Sequence, residues 1–307
     1  MSITVVIPLY NKAQYIQRAI NSVLRQSFQD FHILIVDDGS TDEGPSIVSS
    51  YTDSRIALVS QSNQGVSVAR NKGIKEATDD LIAFLDADDE WKPELLEKFY
   101  NLSIQYPNCD VFGARYVKVD GEGKELISIV NGLPFKTDTG VLTNYFEIAS
   151  QSDPPLWSSC VMIRKSAISA IGGFPVGIKQ GEDLLTWARL AARYQIAYST
   201  QPLALFYTQR NTYGKPVRVP TQEDPVGEEL AALYHRNPQL PGLKAYVGHW
   251  HKMRASIFMR LPHHSADARK EITESLRWNP KVKNLYLYRL LLLLPYTLRM
   301  KLLATRE

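Results

Sequence analysis

Three groups of acidic side chains in this sequence are candidates for chemistry. They are Asp37-Asp38, Asp86-Ala87-Asp88-Asp89 and Glu182-Asp183. The first and third groups alone also suit a turn or a helix N-terminus, where carboxylates satisfy free backbone N–H groups. The second group packs three carboxylates together, which costs repulsion unless solvent or a cation relieves it. Carboxylate oxygens are ligands for Mg²⁺ or Mn²⁺, and such a metal in turn holds phosphate groups.

The elements around these acids predict that they meet at one edge of a sheet. Short apolar runs of strand length alternate with helical patterns in the first third of the chain: Ile3–Pro8, Phe31–Val36, Ile56–Val59 and Leu81–Leu85 are the runs. This order predicts the α/β class, with a Rossmann-like, mostly parallel sheet flanked by helices. The first two acidic groups follow the second and fourth strands. Ligands bind beyond the carboxyl ends of such strands.

Other devices that hold phosphates or metals are missing from the sequence. The first strand ends in Pro8-Leu9-Tyr10-Asn11 rather than G-x-G-x-x-G, and Ile178-Lys179 follows Gly177 where a P-loop needs Lys and Ser or Thr. There is no H-E-x-x-H, and a net charge of +3 does not favour a nucleic-acid partner. A metal bound by carboxylates is therefore the remaining obvious way to hold a diphosphate.

Five segments follow one another in a characteristic order: ITVVIPLYN (Ile3–Asn11), IVDDGSTD (Ile35–Asp42), NQGVSVARNKG (Asn63–Gly73), FLDADDEW (Phe84–Trp91) and GEDLL (Gly181–Leu185). SSCVMIRKSAISAIGGF (Ser158–Phe174) leads into the last one. Together they resemble the ordered motifs of family 2 inverting glycosyltransferases over roughly residues 1–210. The resemblance implies a glycosyltransferase-A fold, a nucleotide-diphosphate sugar as donor and inversion at the anomeric carbon.

The resemblance also implies roles in binding the donor. Pro8 and Tyr10 would line the pocket for the base. Asp38 would accept a hydrogen bond from the base, most often uracil N3–H in this family, and Asp37 would share that pocket. Asp86 is similar to the carboxylate that faces the ribose.

The remaining roles concern the metal and the reaction. Asp88 resembles the ligand of Mn²⁺ or Mg²⁺, with Asp89 nearby. Asp183 resembles the general base that takes the proton of the acceptor hydroxyl, and Glu182 would orient the acceptor. Arg70 lies in the middle motif, where it either contacts the donor or pairs with an acid within the fold.

The sequence predicts a glycosyltransferase domain over 1–210, a linker or mobile loop over 211–225 and a helical region over 226–307. Pro216, Pro220 and Pro225 mark the linker. The five histidines beyond residue 230 have no evident acidic partner or ligand spacing, so we expect them on surfaces or in helix packing. Cys109 and Cys160 are expected to be buried thiols.

Residues 281–307 combine basic side chains with leucine and tyrosine, and Pro295 is expected to kink or divide this helical segment. One interpretation is a helix that lies in a membrane interface, and the other is a pair of packing helices or a dimer contact. The sequence shows no secretory signal and no apolar run of the length that spans a bilayer. These features predict a cytoplasmic protein with a peripheral contact at the inner membrane face.

The leading hypothesis is a metal-dependent inverting glycosyltransferase that uses a UDP-sugar. Its acceptor would be a glycan or lipid-linked glycan in the synthesis of a surface or exported polysaccharide. The first alternative is a non-catalytic nucleotide-sugar-binding scaffold, and the second is a nucleotidyltransferase. Strand one lacks the glycine-rich basic loop that nucleotidyltransferases normally carry there, because Tyr10-Asn11-Lys12 follows it.

Overall fold

The structure is a computed structural model that describes residues 2–208 and 219–304. The chain divides into two units, Met1–Tyr213 and Gly214–Glu307. The division falls inside the predicted linker, 211–225, of which residues 211–218 lie outside the described residues.

The first unit opens with four parallel strands in the order β3-β2-β1-β4. Strand β1 is buried along its whole length, as a central strand covered on both faces must be. In the register of the sheet, Leu9 pairs with Asp37 and Asp37 pairs with Ser60, so β1, β2 and β3 end at one edge. The elements of this half are β1 (Ile3–Leu9), α1 (Ala13–Leu24), β2 (Phe31–Asp37), α2 (Gly44–Ser49), β3 (Ile56–Ser60), α3 (Val66–Glu76) and β4 (Leu81–Phe84).

The sheet continues beyond β4 in the order β9-β6-β10-β5, with β7 on β6 and β8 on β10. Strand β9 is antiparallel to both β4 and β6, while β10 is parallel to β6. The elements are β5 (Glu90–Trp91), α4 (Leu95–Gln105), β6 (Val111–Val119), β7 (Glu125–Ile127), β8 (Thr139–Val141), α5 (Tyr145–Gln151), β9 (Val161–Arg164), α6 (Lys165–Ala170), α7 (Glu182–Ala191) and β10 (Ile196–Tyr207). The predicted α/β sheet flanked by helices is confirmed, and its parallel part is concentrated in β3-β2-β1-β4.

Two glycines allow the close approaches that shape the binding edge. A Cβ on Gly73 would lie 2.3 Å from a methyl carbon of Val6, so α3 packs directly on β1. Gly39 has φ +74° in the turn after β2, and a Cβ there would lie 2.8 Å from the backbone nitrogen of Asn63. These contacts bring the turn after β2 against the loop before α3.

The second unit is helical where it is described. Its helices are α8 (Pro225–Arg236), α9 (Leu243–Met259), α10 (Ser265–Trp278), α11 (Lys283–Leu291) and α12 (Tyr296–Ala304). Side chains from α9, α10, α11 and α12 share one apolar core that includes Phe258, Ile272, Leu285 and Leu303. Pro295 lies between α11 and α12, so the basic C-terminal segment is divided there as expected. Within the described ranges, none of the helices is both long enough and apolar enough to cross a membrane.

Candidate active site

Arg70 connects the second and third acidic groups. Its side chain is only 4% exposed, and its guanidinium donates to Asp86 at 2.7 Å and to Glu182 at 3.4 Å. The guanidinium carbon also lies 5.0 Å from the centre of the Phe174 ring. A buried charge is tolerated when it is paired in this way. Asp86 and Glu182, which are far apart in the sequence, are therefore brought together by one arginine on α3. Of the two roles expected for Arg70, the structure contains the pairing with acids within the fold.

The turn after β4 is held by Ser159, which lies in a 3-10 turn at Ser158–Cys160 just before β9. The backbone N–H of Asp86 donates to the Ser159 hydroxyl at 3.0 Å, and that hydroxyl lies 2.5 Å from a carboxylate oxygen of Asp89. The indole N–H of Trp91 donates to the Ser159 carbonyl at 2.6 Å. Ser159 in this turn thus bonds to the acidic loop on both its hydroxyl and its carbonyl side.

The two predicted metal ligands have different surroundings. Asp89 is 2% exposed, and its other carboxylate oxygen accepts the backbone N–H of Tyr207 at 3.2 Å. Burial and the neighbouring carboxylate of Asp86 raise the pKa of Asp89 to about 8. The Asp88 side chain is 29% exposed, and its carboxylate accepts a hydrogen bond from the Lys12 ammonium. Asp88 is therefore the more accessible of the two carboxyl groups, whereas Asp89 anchors the loop.

Asp183 stands in the first turn of α7, and this helix begins with Glu182 directly after Gly181, which is in a left-handed conformation. One of its carboxylate oxygens accepts the backbone N–H of Leu184 at 2.8 Å. Burial and the adjacent charge of Glu182 raise the pKa of Asp183 to about 6. At neutral pH the group is therefore largely ionised. Its pKa lies closer to neutral pH than that of an ordinary aspartate, so it is a stronger base.

The first acidic group contacts a different loop. The Asp38 carboxylate accepts the side-chain amide of Gln61 at 2.8 Å and the backbone N–H groups of Gln64 and Gly65 at 2.9 and 2.8 Å. Asp37 accepts the backbone N–H of Ser40 at 2.9 Å. Asp38 thus fixes the loop before α3, and its carboxylate keeps capacity for one more donor.

Pro8 and Tyr10 lie at the end of β1, beside the turn that carries Asp37 and Asp38. Pro8 is buried, whereas the Tyr10 side chain is 47% exposed. Asn11 has φ +49°, and its side-chain oxygen accepts the backbone N–H of Thr41 at 2.8 Å. This bond ties the chain after β1 to the turn after β2, so the exposed Tyr10 ring borders the edge where the strands end.

The comparisons with known proteins address the family directly. The family model described as glycosyl transferase family 2 matches residues 4–172 of this 307-residue chain, more than half of it. The chain belongs to this family. TuaG of Bacillus subtilis, named as a teichuronic acid biosynthesis glycosyltransferase, is 32% identical over 199 residues, which are 64% of this chain and 74% of TuaG.

The chain spans less than half the length of the first relatives that it matches. An uncharacterized glycosyltransferase of Rickettsia conorii is 32% identical over 196 residues, which cover 63% of this chain and 31% of that protein. The crystal structure of S. aureus TarS residues 1–349 aligns with a TM-score of 0.64 at 19% identity, over 91% of this chain and 81% of that one. This likeness shows the fold, and the predicted glycosyltransferase-A-like fold of family 2 is confirmed.

Sequence reasoning missed two cations at this family 2 site, Lys12 and Arg18. The Lys12 ammonium contacts the Asp88 carboxylate, and the Arg18 guanidinium donates to the Asp88 carbonyl. Arg18 also stacks on the Tyr207 ring, with its guanidinium carbon 3.6 Å from the ring centre. The available signal was the position of both residues just after β1, at the edge where the acids gather.

His251 packs among helices as expected, but two of the histidines have acidic partners that the sequence did not reveal: His251, and His264, which lies 2.8 Å from Asp267. His251 lies 2.7 Å from Glu271 and 3.7 Å from Asp224, so it has two acidic neighbours. Asp224, His251 and Glu271 place potential ligand atoms within 4.8 Å of one another. Arg254 also donates to Glu271 at 2.8 Å and lies 3.4 Å from Asp224, so a positive charge of the chain already lies against both acids. Burial opposes ionisation of Glu271, but the hydrogen bonds from His251 and Arg254 lower its pKa below the usual value.

Proposed function

We propose that the chain transfers a sugar from a nucleoside-diphosphate sugar, a UDP-sugar in the first instance, to an acceptor hydroxyl with inversion at the anomeric carbon. The observation that carries the proposal is the Arg70 bridge between Asp86 and Glu182, at 2.7 and 3.4 Å. It joins the acids assigned to the donor with those assigned to the reaction. Solved structures of TarS with UDP-GlcNAc and with UDP, similar in fold at TM-scores of 0.60 and 0.59, support this class of donor.

The donor would bind at the edge of the sheet where β1 and β2 end. The exposed ring of Tyr10 and the neighbouring Pro8 would pack against the base. Asp38 would accept the base N–H through its remaining acceptor position, with Asp37 in the same pocket. Asp86 would face the ribose while Arg70 fixes its carboxylate.

The residues present fit a divalent metal. Asp88 offers a partly exposed carboxylate, which is the kind of oxygen ligand that a hard divalent ion takes. We assign the metal to Asp88, with Asp89 holding the loop from the buried side. Mn²⁺ or Mg²⁺ bound there supplies positive charge to the departing diphosphate. The carboxylate of Asp89 is a weaker candidate ligand because burial favours its protonated form.

Asp183 is the proposed general base. Its carboxylate takes the proton of the acceptor hydroxyl, the oxygen forms a bond to the anomeric carbon, and the bond from that carbon to the diphosphate breaks. Attack opposite the departing group inverts the configuration. Glu182, held by Arg70, would orient the acceptor rather than take the proton. The pKa of about 6 for Asp183 suits a base that works near neutral pH.

The acceptor is proposed to be a glycan or lipid-linked glycan of a surface polysaccharide, and the name of TuaG supports this class. A peripheral membrane contact belongs to the same proposal. Leu290 and Leu293 are 62% and 75% exposed on and after α11, and Arg289 and Lys301 are exposed basic residues nearby in sequence. Arg299 is 2% exposed and does not belong to this surface. Such a surface suits the anionic headgroups of the inner membrane face.

Sedimentation with anionic phospholipid vesicles tests the membrane contact. The double variant Leu290→Ser, Leu293→Ser should lose binding, whereas Ile104→Ser, which removes another exposed apolar side chain (60%) on α4, should not. Vesicle binding that is equal in all three proteins would remove the membrane part of the proposal.

Turnover tests the proposed function itself. The protein is incubated with Mn²⁺ and a panel of UDP-sugars, with membrane-extracted glycans as acceptors, and UDP release and product mass are measured. UDP release with a sugar added to the acceptor is the expected result. Donor binding without turnover by any sugar would favour the scaffold alternative, and pyrophosphate release from a nucleoside triphosphate and a sugar phosphate would favour the nucleotidyltransferase.

A further inference from the structure

Lys12 places a positive charge directly on the carboxylate assigned to the metal. It lies between β1 and α1, and its ammonium donates to the side chain of Asp88. The two side chains are 31% and 29% exposed, so water reaches the pair and neither partner is locked in the core. Arg18 bonds instead to the carbonyl of Asp88 and stacks on Tyr207. The two cations therefore differ: Arg18 fixes the backbone of the loop, and Lys12 neutralises its reactive carboxylate.

A divalent metal and this ammonium compete for the same carboxylate, of which Lys12 contacts one oxygen. A metal ion bound to Asp88 repels an ammonium held at hydrogen-bond distance, so its binding favours departure of the ammonium. Lysine is suited to leave, because its ammonium is a compact, well-hydrated charge on a flexible stem. Arg70 has no such freedom, since its guanidinium is 4% exposed and bridges two acids.

We propose that Lys12 is an exchangeable counter-ion of Asp88: it holds the carboxylate before the metal binds and is displaced by the metal toward the diphosphate of the donor. This inference rests on the proposed function, because it takes Asp88 as the metal ligand. The ammonium that the metal releases is then free to pair with the phosphate oxygens held at the same loop. Lys12 thus opposes binding of the metal alone and supports binding of the nucleotide in its presence.

The two roles predict effects of opposite sign in Lys12→Met. Affinity for Mn²⁺ alone, measured by electron paramagnetic resonance of the free ion, should increase about tenfold, which corresponds to about 1.4 kcal/mol. Affinity for UDP at saturating Mn²⁺, measured by calorimetry, should decrease by a similar factor. A lysine that only stabilised the fold would weaken both affinities or neither.

Two further variants serve as controls. Arg25→Met removes a positive charge from α1's C-terminal end, where Arg25 is 60% exposed and pairs with Glu90 at 3.4 Å, and it should leave both affinities unchanged. Lys12→Arg keeps the charge and should lie closer to wild type than Lys12→Met in both measurements.

The outcomes separate this inference from the proposed function. If Asp88→Ala abolishes Mn²⁺ binding but Lys12→Met binds Mn²⁺ and UDP as wild type does, the metal site stands and the Lys12 inference is overturned. If Asp88→Ala binds Mn²⁺ as wild type does, the metal assignment itself fails and the inference falls with it. Opposite shifts in Lys12→Met, with Arg25→Met unchanged, support the inference.

Discussion

The chain contains two polar clusters built from the same kinds of side chain, and the pKa values of their carboxyl groups shift in opposite directions. In the helical unit, Arg254 and His251 pair with Glu271, and their hydrogen bonds lower its pKa. In the sheet unit, Arg70 is shared between Asp86 and Glu182, and the neighbouring Asp89 and Asp183 keep raised pKa values of about 8 and 6.

The difference supports the proposal that the cluster at the sheet edge, rather than the one in the helical unit, binds the ligand. The raised pKa values at the sheet edge mean that ionisation of Asp89 and Asp183 is opposed there, and a bound cation or a proton transfer can make use of such groups. In the helical unit, His251 and Arg254 instead stabilise the ionised form of Glu271. The number of carboxyl groups in a cluster does not distinguish the two clusters. The partners of each carboxyl group do.

The largest expected effect is on turnover in Asp183→Asn. The amide cannot take a proton, so transfer should fall about a thousandfold, within the range that general bases contribute. The dissociation constant for the UDP-sugar, measured by calorimetry, should change little because Asp183 is assigned to the acceptor side. Loss of donor binding in this variant would instead place Asp183 in the nucleotide pocket.

Replacing the central arginine of each cluster compares the two regions directly. Arg70→Met and Arg254→Met should each lower the free energy of unfolding by about 3 kcal/mol, because each removes the positive charge that pairs with buried or partly buried carboxylates. Urea denaturation measures this loss. At a temperature where both variants remain folded, only Arg70→Met should lower kcat/KM. Equal activity losses in the two variants would contradict the division of roles.

Asp88→Ala should weaken donor binding about tenfold when Mn²⁺ is present, since it removes a ligand of the ion that holds the diphosphate. In chelator, wild type and variant should bind the donor with the same low affinity. An equal loss under both conditions would show that Asp88 contacts the donor without a metal.

The smallest expected effect concerns pH. Asp183 accepts a proton only when ionised, so kcat/KM should fall as pH decreases through about 6. Because the charge of Glu182 raises the pKa of Asp183, Glu182→Gln should move this fall to lower pH. Glu122→Gln, which neutralises an exposed acid in the turn between β6 and β7, should leave the profile in place. An unmoved profile in Glu182→Gln would mean that another group sets it.

Much of the fold could be predicted from local sequence patterns, because buried strands and amphipathic helices each have a characteristic spacing of apolar residues. The acid groups after β2 and β4 were expected at the sheet edge for that reason. Side-chain contacts between residues far apart in the sequence could not be predicted. Ser159 holding Asp86 and Asp89, Lys12 on Asp88 and Glu271 beside His251 each depend on how separate elements pack. Asp38 was predicted to face the base, yet most of its acceptor capacity serves the loop before α3.

Anomalous diffraction from crystals of the protein with UDP and Mn²⁺ locates the metal directly. We expect one strong manganese peak at the Asp88 carboxylate, with the Lys12 ammonium moved away from it. A peak between Asp224, His251 and Glu271, with none at Asp88, would contradict the assignment of the metal to the acidic edge of the sheet.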